Sequence, residues 1–269
     1  MADGNDAPKG AIARFLAAPA DSVGKTVFVA VALCLVASMV VSAAAVALRP
    51  LQQVNALRDR QINILQVAGI YDPTADVAES FAAFEPHVLE LATGEFTEEF
   101  DPATFDQRSA ADDPALSVDL VDDPAGIGRQ SRYVTVYILR DDAGEIERVI
   151  LPIHGYGLWS TLYGYIALES DGNTIYGLQF YEHAETPGLG AEVDNPRWRA
   201  EWRGTLLADE NGELQISVSK TVPPAGPEYH IDALAGATLT TAGVNNLVNF
   251  WMGESGYGPF LDRLKAGDV

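Results

Sequence analysis

Four residues near the C-terminus have types and a spacing that could hold a phosphate: Asp232, Gly236, Ala237 and Thr238. They directly precede a segment with the apolar spacing of a helix, and small residues there let an external group approach the backbone closely. Free N–H groups and the positive end of the helix dipole favour a phosphate at such a place. Thr238 would present its hydroxyl to that phosphate.

A simpler interpretation accounts for the same residues without any ligand. Either Thr238 or Thr240 could be the helix cap, accepting a hydrogen bond from the first turn and contributing about 1 kcal/mol. From the residues of this segment alone, the capping role is favoured. The elements around the segment must therefore be considered before a phosphate site is accepted.

The composition limits which partners and which redox chemistry the chain can have. Among 269 residues, 38 are acidic and 17 are basic, and the formal net charge is -21. Such a chain repels phosphate backbones, which argues against nucleic acid as a partner. Its one cysteine, Cys34, cannot form an intrachain disulfide or complete a multi-cysteine metal site. Any redox chemistry therefore needs a borrowed cofactor.

A run without charged residues extends from Thr26 to Leu48. At about 1.5 Å per residue it would cross a hydrocarbon core of roughly 30 Å, which predicts a transmembrane helix at 26–48 after a short segment at 1–25. A cleaved signal peptide is the alternative, although its apolar core would be shorter. Three basic residues precede the run and three follow closely, so charge counting does not determine its orientation.

The region 49–130 divides into a helical part and an acidic part. Apolar residues recur at helical spacing between residues 49 and 92, which predicts two or three helices; they include Leu57, Ile62, Leu65, Val77, Phe81, Phe84, Val88 and Leu91. From Gly94 to Arg129 the chain is rich in Asp, contains Pro and lacks a sustained apolar period. We expect a mostly irregular surface segment there.

The region 131–269 is predicted to be an α+β domain. Five β-prone runs occur, and turn residues between several of them favour antiparallel hairpins; the runs are YVTVYIL, EIERVILPI, LYGYIALES, TIYGLQFYE and ELQISVSK. After Pro223 and Pro224 a loop leads into a helix near Thr238, where apolar residues again recur at helical spacing. The expected architecture is one transmembrane helix followed by a soluble domain with a mostly antiparallel sheet and flanking helices.

A resemblance to a known motif changes the interpretation of Thr238. The segment DALAGAT is similar to the flavinylation motif Asp-x-x-(Ser/Thr)-Gly-Ala-Thr, in which a flavin transferase moves FMN from FAD onto the last threonine as a phosphoester. Asp232, Gly236, Ala237 and Thr238 match the motif, and Ala235 replaces its usual Ser or Thr. The acceptor hydroxyl is retained at Thr238, while one neighbouring hydroxyl is lost.

Two longer segments extend the resemblance over most of residues 26–255. GYGLWSTLYGYIAL and FYEHAETPGLGAEVDNPRW resemble parts of the C subunit of the Na+-translocating NADH:quinone reductase. The related G subunit of the Rnf ferredoxin:NAD+ oxidoreductase is an alternative, as is a membrane-anchored extracytoplasmic binding module without redox function. GLWS and EVDNPRW favour the quinone reductase family.

The resemblance implies a function that this chain would perform only within a complex. It would carry one covalent FMN and relay electrons from NADH towards ubiquinone, while partners among the other subunits of the six-subunit pump export Na+. It would be a single-pass protein of the bacterial inner membrane with its soluble domain in the periplasm. A flavin transferase would be needed for its maturation.

The flavin also needs residues around its ring. Trp159 and Tyr163 could stack on the ring or be ordinary packing residues, and the run from Glu185 to Gly190 could offer hydrogen bonds or be a plain connection. We predict no catalytic residue and no metal site, and we favour a solvated role for Lys220. The predicted cofactor-binding residues are Trp159, Glu185, Thr186, Leu189, Asp232, Gly236, Ala237 and the covalent acceptor Thr238.

Overall fold

The computed structural model describes residues 10, 15, 17, 19 and 22–269, so most of the predicted N-terminal segment at 1–25 lies outside the described residues. The chain divides into two compact units between Leu57 and Arg58. Within the described residues, one helix, α1 (Val23–Val67), is long and apolar enough to cross a membrane. It confirms the apolar helix predicted at 26–48 and continues beyond it through Pro50.

None of the most apolar window of α1 is buried inside the protein. A continuous apolar surface of this kind is unusual on a protein surrounded by water, because exposed apolar area is normally broken into small patches. By length and composition, this part of α1 could span a membrane.

The second unit contains the remaining elements. In chain order, the structure has α2 (Val77–Phe81), β1 (Phe84–Glu90), β2 (Glu95–Thr97), α3 (Gln107–Asp112), β3 (Ser117–Asp119), β4 (Arg129–Ser131), β5 (Tyr133–Arg140), β6 (Ile146–Tyr156), β7 (Thr161–Glu169), β8 (Ile175–Glu182), α4 (Pro196–Glu201), β9 (Ser217–Ser219), β10 (His230–Asp232), α5 (Thr238–Met252) and α6 (Gly258–Ala266). The expected α+β class is confirmed.

Six strands form one antiparallel sheet in the order β2-β1-β5-β6-β7-β8. The strands β5 to β8 are successive hairpin neighbours, as their turn residues predicted. Both faces of the sheet are covered. One face packs with α5 and α6 in the larger apolar core, and the other packs with residues 64–68 and α2 in a smaller one.

The helical prediction for Phe84, Val88 and Leu91 is wrong, because this segment contains the strand β1. Phe84 is buried in the smaller core, whereas Leu89 and Leu91 are buried in the larger one. A strand that is buried on both faces need not alternate apolar and polar residues, so the periodicity alone could not distinguish it from a helix. Pairing with β5 along its whole length decides the conformation.

The run ELQISVSK also differs from its expected role. Only Ser217–Ser219 is a strand, and this strand, β9, pairs in parallel with β10 in a separate two-stranded sheet. In the acidic region the structure has short elements, β2, α3 and β3, separated by turns. The parallel pair matters for function, because β9 and β10 end at the same edge, next to the loop that leads into α5.

Candidate functional site

A tight turn at residues 234–237 directly precedes α5. The N–H of Ala237 donates to the carbonyl oxygen of Leu234 at 3.2 Å, and Gly236 has a φ of 73°. Glycine adopts this left-handed conformation without the steric cost that a side chain would add. The turn ends at Ala237, and α5 begins with Thr238.

Neither threonine caps α5, so the capping interpretation is wrong. Ala237 occupies the capping position, and no side chain accepts a hydrogen bond from the first turn. Thr240 is fully buried, with its hydroxyl donating to Glu185 Oε2 at 2.6 Å. Thr238 is exposed, and its hydroxyl forms no hydrogen bond with any residue that the structure describes. The Thr238 hydroxyl therefore lies at a helix start whose first N–H groups lack a side-chain partner.

The carboxylate of Glu185 joins three segments of the site. Its Oε1 accepts from the backbone N–H groups of Leu158 and Trp159, both at 2.9 Å, and its Oε2 accepts from Thr240. Glu185 itself is 5% exposed. This one side chain thus links three segments by hydrogen bonds: the turn between β6 and β7, the loop after β8 and the first turn of α5.

Glu185 remains ionised despite its burial. Burial favours the protonated form, but hydrogen bonds from the Thr240 hydroxyl and from backbone N–H groups of residues 158–160 outweigh it and lower the pKa of Glu185. Hydrogen bonds to a carboxylate stabilise its charged form in this way. A buried carboxylate whose charged form is stabilised by hydrogen bonds therefore lies behind the start of α5.

Glycines allow the segments around Glu185 to approach one another closely. A Cβ on Gly190 would lie 2.5 Å from Glu185 Oε2 and 2.6 Å from Thr240 Oγ1. A Cβ on Gly157 would lie 2.6 Å from Glu185 Oε1. Side chains at these positions would displace the carboxylate, so both glycines are needed for this arrangement.

The loop after β8 turns again at Thr186–Leu189. The N–H of Leu189 donates to the carbonyl oxygen of Thr186 at 3.1 Å, with Pro187 and Gly188 between them. Gly188 has a φ of 75°, as a turn with Pro followed by Gly requires. Leu189 then lies beside the turn at residues 234–237, since a Cβ on Gly236 would be 3.0 Å from Leu189 Cδ2.

Apolar side chains are exposed on each of the three segments that the Glu185 carboxylate joins. Trp159 is 64% exposed and Leu239 is 60% exposed, and Leu158 and Leu189 are also exposed. A flat aromatic ring system could be received by such side chains. Tyr163, by contrast, is an ordinary packing residue, because the Arg108 guanidinium lies 3.5 Å from its ring centroid and His154 stacks on it.

The two histidines near the site have structural partners. His183 Nε2 lies 2.9 Å from Asp194 Oδ2, and His230 Nε2 lies 2.9 Å from the carbonyl oxygen of Ser219. No cluster of three or more His, Cys, Asp or Glu that could hold a metal occurs within the described part of the chain. Both histidines therefore support the local backbone.

Comparisons with known proteins identify the family of the domain that contains these residues. A family described as FMN-binding domain matches residues 157–253, the part that contains Glu185 and Thr238. The C subunit of the Na(+)-translocating NADH-quinone reductase from Yersinia pestis is 47% identical over 253 residues, which cover 92% of this chain and 95% of that protein. The corresponding protein from Pseudomonas aeruginosa is 46% identical over 258 residues, covering 93% and 98%. This chain belongs to the C-subunit family of the Na(+)-translocating NADH-quinone reductase.

Solved structures of this family share the fold. The crystal structure of Shewanella oneidensis NqrC matches with a TM-score of 0.73 and 36% identity, covering 78% of this chain and 98% of that one. The family member from Parabacteroides distasonis matches with a TM-score of 0.62 and 29% identity, covering 80% and 96%. As a member of this family, the chain is a subunit of an oxidoreductase complex and contains an FMN-binding domain.

The eight predicted site residues fall into two groups. Six are brought together by the turns and by the Glu185 hydrogen bonds: Trp159, Glu185, Leu189, Gly236, Ala237 and Thr238. Thr186 is exposed in its turn, and the Asp232 carboxylate is exposed at the end of β10, 3.8 Å from His230. Thr240 and Gly190 were missed as partners of Glu185, since nothing in their spacing indicates a contact across the fold.

Proposed function

We propose that this chain carries one FMN, bonded through its phosphate to Thr238, and that it relays electrons from NADH towards ubiquinone. The observation that carries the proposal is the free, exposed Thr238 hydroxyl at the start of the uncapped helix α5. The other subunits of a six-subunit pump would couple the electron flow to Na+ export. The chain alone completes no reaction.

The residues around Thr238 fit this cofactor. The first turn of α5 offers unpaired N–H groups to a phosphate, and the exposed side chains of Trp159, Leu189 and Leu239 offer apolar surface to a ring. The bound flavin would supply the electron-transfer chemistry. The chain would hold and orient the flavin. Glu185 would fix the Trp159 turn against α5, because its oxygens accept from backbone N–H groups of that turn and from the Thr240 hydroxyl.

Attachment would be a phosphoryl transfer that needs FAD and a flavin transferase. The Thr238 oxygen would form a bond to the phosphorus of the FMN half of FAD. The pyrophosphate bond to the AMP half would break, AMP would leave, and the hydroxyl proton would pass to a base of the transferase. An exposed turn suits this reaction, because the transferase must reach Thr238 from outside.

The attachment is tested by co-expressing the full chain with a flavin transferase. We expect a fluorescent band at the size of the chain after denaturing electrophoresis, and a peptide mass increment of one FMN at Thr238. Omitting the transferase is the control and should remove the band. A colourless chain with an unmodified Thr238 peptide would refute the proposed function.

We also propose that α1 anchors the chain in the inner membrane once, with residues after the helix in the periplasm. The support is the exposed apolar surface of α1 together with the family's flavin chemistry. Single cysteines at Glu210 and at Asp142, both exposed in turns, with Cys34 replaced by Ala, should react in intact cells with a membrane-impermeant maleimide. Labelling only after the inner membrane is permeabilised would place this domain in the cytoplasm instead.

A further inference from the structure

A groove of about 410 Å³ runs beside the acceptor threonine, between α5 and the edge of the β9–β10 pair. Its α5 wall has Thr238 at one end and Asn246 at the other, with residues spaced three to four apart between them. These positions share one face of a helix and extend about 12 Å along its axis. The groove therefore begins at the acceptor and follows α5 away from it.

Lys220 lines the opposite wall of this groove. It directly follows β9, while Asp232, the first residue of the acceptor motif, ends β10. Since β9 and β10 are parallel and in register at Ser219 and Asp232, their ends lie at the same edge. The N–H of Ala233 then donates to the carbonyl oxygen of Ser219 at 3.0 Å, which ties the two segments together.

The residues directly before and after Lys220 are fixed by hydrogen bonds. The carbonyl oxygen of Ser219 also lies 2.9 Å from His230 Nε2, and the Ser219 hydroxyl donates to the carbonyl oxygen of Thr221 at 2.9 Å. Lys220 is exposed. These contacts fix where its side chain begins, while the ammonium group remains able to reach along the groove.

Lys220 has no ion-pair or hydrogen-bond partner among the residues that the structure describes. In the same part of the chain, five arginines are paired with carboxylates: Arg108, Arg129, Arg140, Arg148 and Arg263. Among the residues that line the groove, Lys220 is the one with a charged side chain. Its charge is available to an anion that enters the groove.

We propose that Lys220 recognises the phosphate of the flavin at Thr238, pairing with it during transfer and afterwards in the phosphodiester. The inference rests on the proposed function and adds a specific residue to it. A lysine ammonium binds phosphate as a point charge, and Lys220 and Thr238 line the same groove. The sequence alone favoured a solvated role for Lys220, and the shared groove reverses that preference.

The test compares three variants of the full chain: Lys220→Met, which removes the charge, Lys220→Arg, which retains it, and Lys265→Met, which removes an equal charge on α6. With limiting flavin transferase, we expect FMN incorporation into Lys220→Met to be slowed about tenfold. Lys220→Arg should stay within about threefold of the wild-type chain, and Lys265→Met should be unchanged. Equal thermal unfolding of all variants would show that folding is unaffected.

A second measurement reports on the finished linkage rather than on its formation. The phosphorus NMR resonance of the phosphodiester should shift in Lys220→Met and not in Lys265→Met. Wild-type incorporation and an unshifted resonance in Lys220→Met would overturn the inference, as would equal slowing by Lys265→Met or no rescue by Lys220→Arg. A wild-type chain that takes up no FMN at Thr238 would instead overturn the proposed function itself.

Discussion

Thr238→Ala is expected to abolish covalent FMN attachment and to leave the fold intact. Because the Thr238 side chain is exposed and its hydroxyl has no partner in the described part of the chain, its removal should change the free energy of unfolding by less than about 0.5 kcal/mol. The fluorescent band after denaturing electrophoresis should disappear completely. Peptide mass spectrometry should show the peptide that contains residue 238 without the added mass of one FMN.

Two control variants separate the acceptor hydroxyl from other effects of substitution. Thr238→Ser retains a hydroxyl and should retain a band, with a lower yield. Thr104→Ala alters an exposed threonine elsewhere in the same unit and should be flavinylated like the wild-type chain. A full band in Thr238→Ala would mean that another residue is the acceptor, and the proposed function would have to be revised.

The same variant also tests the electron relay. Complexes that contain Thr238→Ala are expected to oxidise NADH with an artificial acceptor but to lose NADH-driven ubiquinone reduction, because the chain could no longer retain its flavin. Unchanged ubiquinone reduction in a complex shown to lack the covalent FMN would place this flavin outside the electron path.

Glu185→Ala is expected to destabilise the chain and to separate the Trp159 turn from α5. The substitution leaves the Leu158 and Trp159 N–H groups and the Thr240 hydroxyl without their acceptor. Buried polar groups left unpaired in this way should lower the free energy of unfolding by about 2 to 4 kcal/mol in total. Chemical denaturation of the full chain in detergent, followed by circular dichroism, measures the loss. Glu210→Ala, a substitution in an exposed turn, should leave the free energy of unfolding almost unchanged.

The charge of Glu185 has a consequence for pH dependence. Since the folded state lowers the pKa of Glu185, its stabilising contribution is present above the unfolded value of about 4.3 and is lost as pH falls through the lower folded value. Glu185→Gln should retain the fold near pH 7, because its amide can still accept from the backbone and donate to Thr240. The wild-type chain should lose more stability than Glu185→Gln on acidification. Parallel losses in both chains would contradict the role of this charge.

Several secondary-structure elements of this protein can be predicted from the local sequence. The uncharged run at 26–48 predicts an apolar helix, because its length and composition alone meet the requirement for a helix that could cross a membrane. The strands β5 to β8 are predicted because β-prone runs alternate with turn residues that reverse the chain locally. The turn before α5 also follows from local sequence, since Gly236 permits the positive φ that it uses, and DALAGAT carries the resemblance to the flavinylation motif.

Only the tertiary structure decided which residues support the first turn of α5. Glu185 and Thr240 are 55 residues apart, and their contact depends on packing between a loop and a helix that no local pattern encodes. The parallel pairing of β9 with β10 likewise brings Lys220 beside Thr238. Local periodicity also failed at β1, because burial on both faces of a strand removes the alternation that distinguishes it from a helix. The motif around Thr238 is thus readable from the sequence, whereas the environment that leaves the Thr238 hydroxyl without a partner in the described part of the chain results from long-range packing.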